Sequence, residues 1–189
     1  MKKIIFLFSC AFLISNLISA QNSATPDMQM MMQNMMPGPV QKQMAAQVGN
    51  WSAEMTMYMD PSQPPQKQYA KVQNEMVMDR YLTSTYRGTM MGMPFEGVAT
   101  MAYDNGTKKY YMTWMDNMST GMTQLSGTYD EATKTTTLTG ISQDPMTGKE
   151  SKMRQTIYYP DASTVKMVMY GEGPGGVEMK MMEITLMRQ

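Results

Sequence analysis

Gly49-Asn50-Trp51-Ser52-Ala53-Glu54-Met55-Thr56-Met57-Tyr58-Met59 carries apolar side chains at positions 51, 53, 55, 57 and 59 and polar ones at 52, 54 and 56. Alternation with period two over this length describes a strand with one buried face. The pattern recurs downstream. Val72, Met76 and Met78 repeat it with Asn74 among them, and Tyr110, Met112 and Trp114 follow, then Val165, Met167 and Met169. In the last segment Val177, Met179 and Met181 have one parity while Met182, Ile184 and Leu186 have the other. A β-bulge at Met181-Met182 would turn both sets inward.

Turn signals separate these runs at intervals of about ten residues. They are Asp60-Pro61 to Pro65, Gly88 to Pro94, Asp104-Asn105-Gly106, Asp116 to Thr120, Asp130-Glu131-Ala132, Asp144 to Gly148, Pro160-Asp161 and Gly171 to Gly176. No segment after Gly49 reads as helical. The expectation is an all-β, antiparallel up-and-down meander of nine or ten strands, which avoids open edges by closing into a barrel. One short helix precedes it: Val40, Met44 and Val48 have helical spacing, and Gly49 ends the run. Gln21 to Pro39, rich in Gln, Asn, Met and Pro, reads as a flexible linker with a short helix within Met28–Met36.

The start of the chain reads as an export signal. Met1-Lys2-Lys3 is positive, Ile4 to Ile18 is mostly apolar, and Ile18-Ser19-Ala20 offers small residues for cleavage. The expected domains are therefore 1–20 signal peptide, 21–39 Met-rich linker and 40–189 barrel, in a periplasmic or secreted protein. Cys10 follows too short an apolar run for a lipoprotein anchor. After cleavage no Cys and no His remain, and 14 Lys+Arg face 16 Asp+Glu.

That composition excludes whole classes of chemistry. Without Cys or His there is no disulfide, thiolate nucleophile, imidazole base, Cys/His zinc site or His-ligated haem. A charge near zero without a basic block argues against nucleic acid. No later apolar run approaches the roughly 18–20 residues of a membrane helix. The acids are scattered, several in turns where carboxylates cap backbone amides, and no nucleophile elbow, phosphate-cradling loop or Ca²⁺ loop is present. An enzyme finds no support in these residues.

The core must be built from unusual material. The mature chain has 28 Met but only four Leu, three Ile, one Phe and eight Val. Methionine is a soft hydrophobe that fills irregular gaps, so most of these side chains are expected to pack the interior. A barrel of this size can also hold one small ligand. The inward set expected to line it is Met57, Met76, Met78, Tyr86, Tyr110, Met112, Trp114 and Met167, with Asn74 as a lone polar group. Such a lining suits a flat or flexible apolar ligand in a monomeric, non-enzymatic protein without a cofactor. The alternative lies in Met28, Met30, Met31, Met32, Met35 and Met36. Core packing does not explain thioethers in a linker, and soft sulfur selects copper as Cu(I), or Ag(I). The same residues could serve as a sacrificial oxidant sink, since Met sulfoxide is reversible.

Two resemblances follow from these residues. Gly49-x-Trp51 after a short helix, with Arg188 in phase with Leu186 at the end of the last strand, resembles the lipocalin-type (calycin) arrangement. That likeness implies an Arg188 guanidinium stacked on the Trp51 indole, closing the barrel's base. Across Met44 to Arg188 a further pattern is carried by Gly49-Asn50-Trp51, Gly92-Met93-Pro94-Phe95-Glu96-Gly97, Ala102-Tyr103-Asp104, Tyr110, Trp114-Met115-Asp116, Gly121, Gly127 and Met187-Arg188. It resembles the domain-of-unknown-function family numbered 1579, found in exported bacterial proteins. Ala102 stands where that family usually has Gly, and Asp79-Arg80 where it usually has a Gly pair. The family has no agreed activity, so this likeness implies a fold rather than a function.

Overall fold

In a computed structural model the described residues are 25–58, 62–143 and 148–189. The segment expected to be a signal peptide, Met59, and Asp60 and Asp144, expected from the sequence to lie in turns, fall outside them. Two helices lead in, α1 (Pro26–Met35) and α2 (Pro39–Ala45). Ten strands follow: β1 (Gly49–Met57), β2 (Gln66–Val77), β3 (Tyr81–Met90), β4 (Met93–Asp104), β5 (Lys109–Asp116), β6 (Thr123–Asp130), β7 (Thr135–Gln143), β8 (Glu150–Asp161), β9 (Thr164–Glu172) and β10 (Glu178–Arg188). Each strand pairs antiparallel with the next, and β1 also pairs with β10, so the sheet closes. The expected barrel forms, with ten strands.

The register explains its interior. Trp51 lies opposite Arg188 on one side and Val72 on the other, which aligns the alternating faces of three strands. Trp51, Ala53, Met55, Val72, Tyr86, Phe95, Met112, Leu125, Leu138, Ile157, Met167 and Leu186 form one buried cluster drawn from all ten strands. The bulge expected in β10 is present: Lys180 pairs with Tyr170 and Met182 with Met169, leaving Met181 as the extra residue. Met179 thereby falls opposite Gly171, in phase with Met182, Ile184 and Leu186. Met181 and Val177 stay exposed, so of the set Val177, Met179 and Met181 the bulge brings only Met179 into phase with the inward face.

Three readings need correction. The segment read as a flexible linker contains α1, longer than the short helix expected there. Its start carries ordinary signals: Thr25 caps the helix, its Oγ1 accepting from the Met28 amide, and Pro26 stands in the first turn. A 3₁₀ turn occupies Pro174–Gly176, so the chain after Gly49 is not wholly without helical turns. Finally, core packing accounts for fewer methionines than expected. Met44, Met55, Met57, Met112 and Met167 are buried, whereas Met78, Met91, Met93, Met115, Met118, Met122 and Met187 are exposed.

Candidate functional site

The residues expected to line a cavity divide into three groups. Met57, Asn74, Tyr86, Met112 and Met167 are buried, and Met76, Tyr110 and Trp114 are partly buried. Met78 does not belong with them. It is 73% exposed because β2 ends at Val77 and the chain turns there, Met78 and Asp79 both adopting positive φ (55° and 53°). Of the Asp79-Arg80 pair, only Asp79 adopts this conformation, which Gly takes without strain.

The inward side chains pack on one another. Tyr86 meets the Trp114 ring edge to face at 5.4 Å, and Phe95 stacks on the same indole at 6.2 Å. Trp114 is held in turn by the Asp116 carboxylate, which accepts from its Nε1 at 2.7 Å. Gly97 makes room for that ring, since a Cβ there would sit 2.4 Å from it. Beneath α2 a cavity of about 20 Å³ remains, walled by Val40, Met44, Met101, Tyr110, Ile157 and Tyr159 among others. That is room for about one water molecule.

The helix α2 lies across this mouth of the barrel, and the carbonyls of Ala46, Gln47 and Val48, just past its end, accept from side chains of the barrel. Gln47 O accepts from Trp51 Nε1 at 2.9 Å and from Asn74 Nδ2 at 3.0 Å. Arg188 donates to Val48 O at 2.9 Å and to Ala46 O, with its guanidinium 4.3 Å from the Trp51 ring. Gly49, at φ 128°, approaches that guanidinium so closely that a Cβ would lie 3.3 Å from it. The Arg188 guanidinium thus stacks on Trp51 at the end of the barrel that α2 covers. Asn74, expected to face a ligand, bonds at the same end. Gln155, which the sequence did not flag, is buried and donates to Met167 Sδ at 3.4 Å.

An open cleft of about 420 Å³ lies outside this mouth, between the end of α1 and the β2–β3 and β4–β5 turns. Tyr81, Tyr103 and Tyr111 provide aromatic surface, and Met35, Met36 and Pro37 form the opposite wall. Polar groups fix its shape by bonding main-chain carbonyls. Arg80 donates to Met35 O at 3.0 Å and to Met78 O at 2.9 Å, Asn105 to Met36 O at 2.8 Å, and Gln41 to Tyr103 O at 2.9 Å. The Asp104 carboxyl is held below the usual carboxylate range, chiefly by the amides of Gly106 and Thr107. This cleft draws on turns far apart in sequence, and no single segment signals it.

The turn acids behave as expected: Asp104, Asp116, Asp130 and Asp161 each accept backbone amides of residues just beyond them. Among the described residues no group of three His, Cys, Asp or Glu is placed to hold a metal ion, and no helix is long and apolar enough to cross a membrane. The six linker methionines all lie on or just after α1, each at least half exposed.

A family model described as "Protein of unknown function (DUF1579)" matches residues 36–188. No curated protein matches the chain. Among solved structures, the crystal structure of Rv2717c from M. tuberculosis is 16% identical, with a TM-score of 0.60, covering 80% of this chain and 98% of that one. A redesigned β-barrel is 12% identical (TM-score 0.44; 77% and 94% covered). A de novo designed fluorescence-activating β-barrel is 10% identical (TM-score 0.44; 77% and 95% covered). These likenesses concern the fold alone.

Proposed function

We propose, for a chain that belongs to the DUF1579 family of proteins of unknown function, an exported, non-enzymatic barrel that binds a small flat apolar ligand at its mouth. The observation that supports this reading is the cleft of about 420 Å³ faced by Tyr81, Tyr103 and Tyr111. Its volume falls within the range of small-molecule sites, which combine aromatic walls with few polar groups. Methionine on the opposite wall adapts to variable shapes and makes favourable sulfur–aromatic contacts. The barrel interior, expected from the sequence to take this role, supports it less well, because the cavity beneath α2 has room for about one water molecule.

The absence of Cys and His after residue 20, together with turn acids committed to backbone amides, supports binding rather than catalysis. Export rests on the character of residues 1–20, and the mass of the mature protein tests it: cleavage after Ala20 leaves Gln21 at the N-terminus.

The binding test uses 1-anilinonaphthalene-8-sulfonate, a fluorophore with an aromatic body and one sulfonate, with the mature chain. Its emission should rise on binding. The double variant Tyr81→Ala/Tyr111→Ala should weaken binding by about tenfold or more, two stacking contacts at about 0.5–1.5 kcal/mol each. Tyr86→Phe, inside the barrel, should leave it unchanged. Binding that ignores the cleft variants would refute the proposal.

A further inference from the structure

Of the six methionines of the α1 region, Met28, Met30, Met31 and Met32 stand apart from the cleft, which only Met35 and Met36 border. The helix has no buried residue, and what attaches it to the barrel is main chain: Arg80 and Asn105 donate to the carbonyls of Met35 and Met36. Its thioethers are therefore not used for packing. Met28, Met30, Met31, Met32, Met35 and Met36 are between 50% and 63% exposed. Exposing so much apolar surface carries a free-energy cost, so the residue type at these positions calls for a reason other than burial.

Helical spacing supplies one. Met28, Met31, Met32 and Met35 stand at i, i+3, i+4 and i+7, one face of α1, whereas Met30 points away from it. Residues three and four apart have Cβ atoms about 5–6 Å apart, and the three rotatable bonds of Met let their sulfurs converge on a point between them. We infer that this face of α1 is a thioether site for a soft monovalent cation, Cu(I) or Ag(I), with Met28, Met31 and Met32 as its first ligands and Met35 within reach. Soft sulfur donors select such ions over the harder divalent metals. A thioether needs no deprotonation, so the site holds its ion independently of pH. No Cys or His after residue 20 competes for it.

The test is native mass spectrometry of the mature chain titrated with silver nitrate, repeated with Cu(I) under anaerobic conditions. Met28→Leu/Met31→Leu/Met32→Leu keeps helix propensity and apolar area but removes the sulfurs, and it spares Met35 and Met36, which border the cleft. Wild type should retain a silver ion that the triple variant loses, while Met30→Leu retains it. Circular dichroism of the triple variant should match wild type, so the loss cannot be one of folding. Equal retention by wild type and triple variant, or no retention by wild type, would overturn the inference. Neither outcome bears on fluorophore binding in the cleft, so the two proposals fail separately.

Discussion

Arg188 joins three parts of the molecule, and its removal should be costly for a surface residue. Its guanidinium covers the Trp51 ring and donates to Val48 O and Ala46 O just past the end of α2. A cation–π contact contributes about 0.5–1 kcal/mol at an exposed site. Hydrogen bonds from a charged donor contribute about 1.5–3 kcal/mol each, less where water competes. Arg188→Ala should therefore lower stability by about 2–3 kcal/mol in urea unfolding; a midpoint equal to wild type would show that the closure does not depend on it. The buried tyrosines make a second prediction. Burial pushes the Tyr159 hydroxyl up to about 12, with Tyr110 nearby adding to the effect, and raises Tyr110 to about 12, mainly by burial and then by Tyr103. Tyr86 is raised further, again chiefly by burial. A phenol whose folded value is raised favours the neutral form, so its stabilisation is complete below the ordinary value of about 10 and is lost as pH climbs above it. Alkaline unfolding between about pH 10 and 12 is expected, with tyrosinate absorbance at 295 nm rising together with loss of the β-sheet circular dichroism. Complete titration by pH 11 with the sheet intact would contradict it.

Among the elements, β1, β10 and α2 were legible because their signals are local. Period-two alternation identifies β1, and the clash of parities around Met181-Met182 requires a bulge whatever the rest of the sheet does. The helix α1 was harder to read. With Met at most of its apolar positions, no stripe separates a core side from a solvent side, because none of it faces the core; the Thr25-Pro26-Asp27 start was the usable signal. Met78 was misplaced for a related reason, since alternation alone does not mark where a strand ends and a turn of positive φ begins. Because α1 buries no side chain, deleting residues 21–37 should leave the barrel folded. The thermal midpoint should shift by less than about 3 °C, as expected for a change of well under 1 kcal/mol in a chain of this length. Loss of cooperative unfolding in the truncated chain would show that α1 is part of the folding unit.

At the scale of the whole molecule, ten strands close on a core that the sequence describes well, and the proposed site lies where the sequence says least. The interior tyrosines and methionines were identified by their phase, but phase does not reveal whether facing side chains leave space between them. Beneath α2 they leave a cavity of about 20 Å³. The cleft gathers Tyr81, Tyr103 and Tyr111 from the starts and ends of three strands and sets them against the end of α1, an arrangement created by closure and invisible in any one segment. Asn74 illustrates the same limit, because its role depends on the Gln47 carbonyl placed above it by α2. The central claim is that recognition occurs outside a filled barrel. Methionine methyl groups report on both places, so ¹³C-methyl-methionine spectra of the mature chain, with and without 1-anilinonaphthalene-8-sulfonate, test it most directly. The account predicts shifts at Met35 and Met36 with Met55, Met112 and Met167 unmoved; shifts confined to Met55, Met112 and Met167 would place the ligand inside the barrel and contradict it.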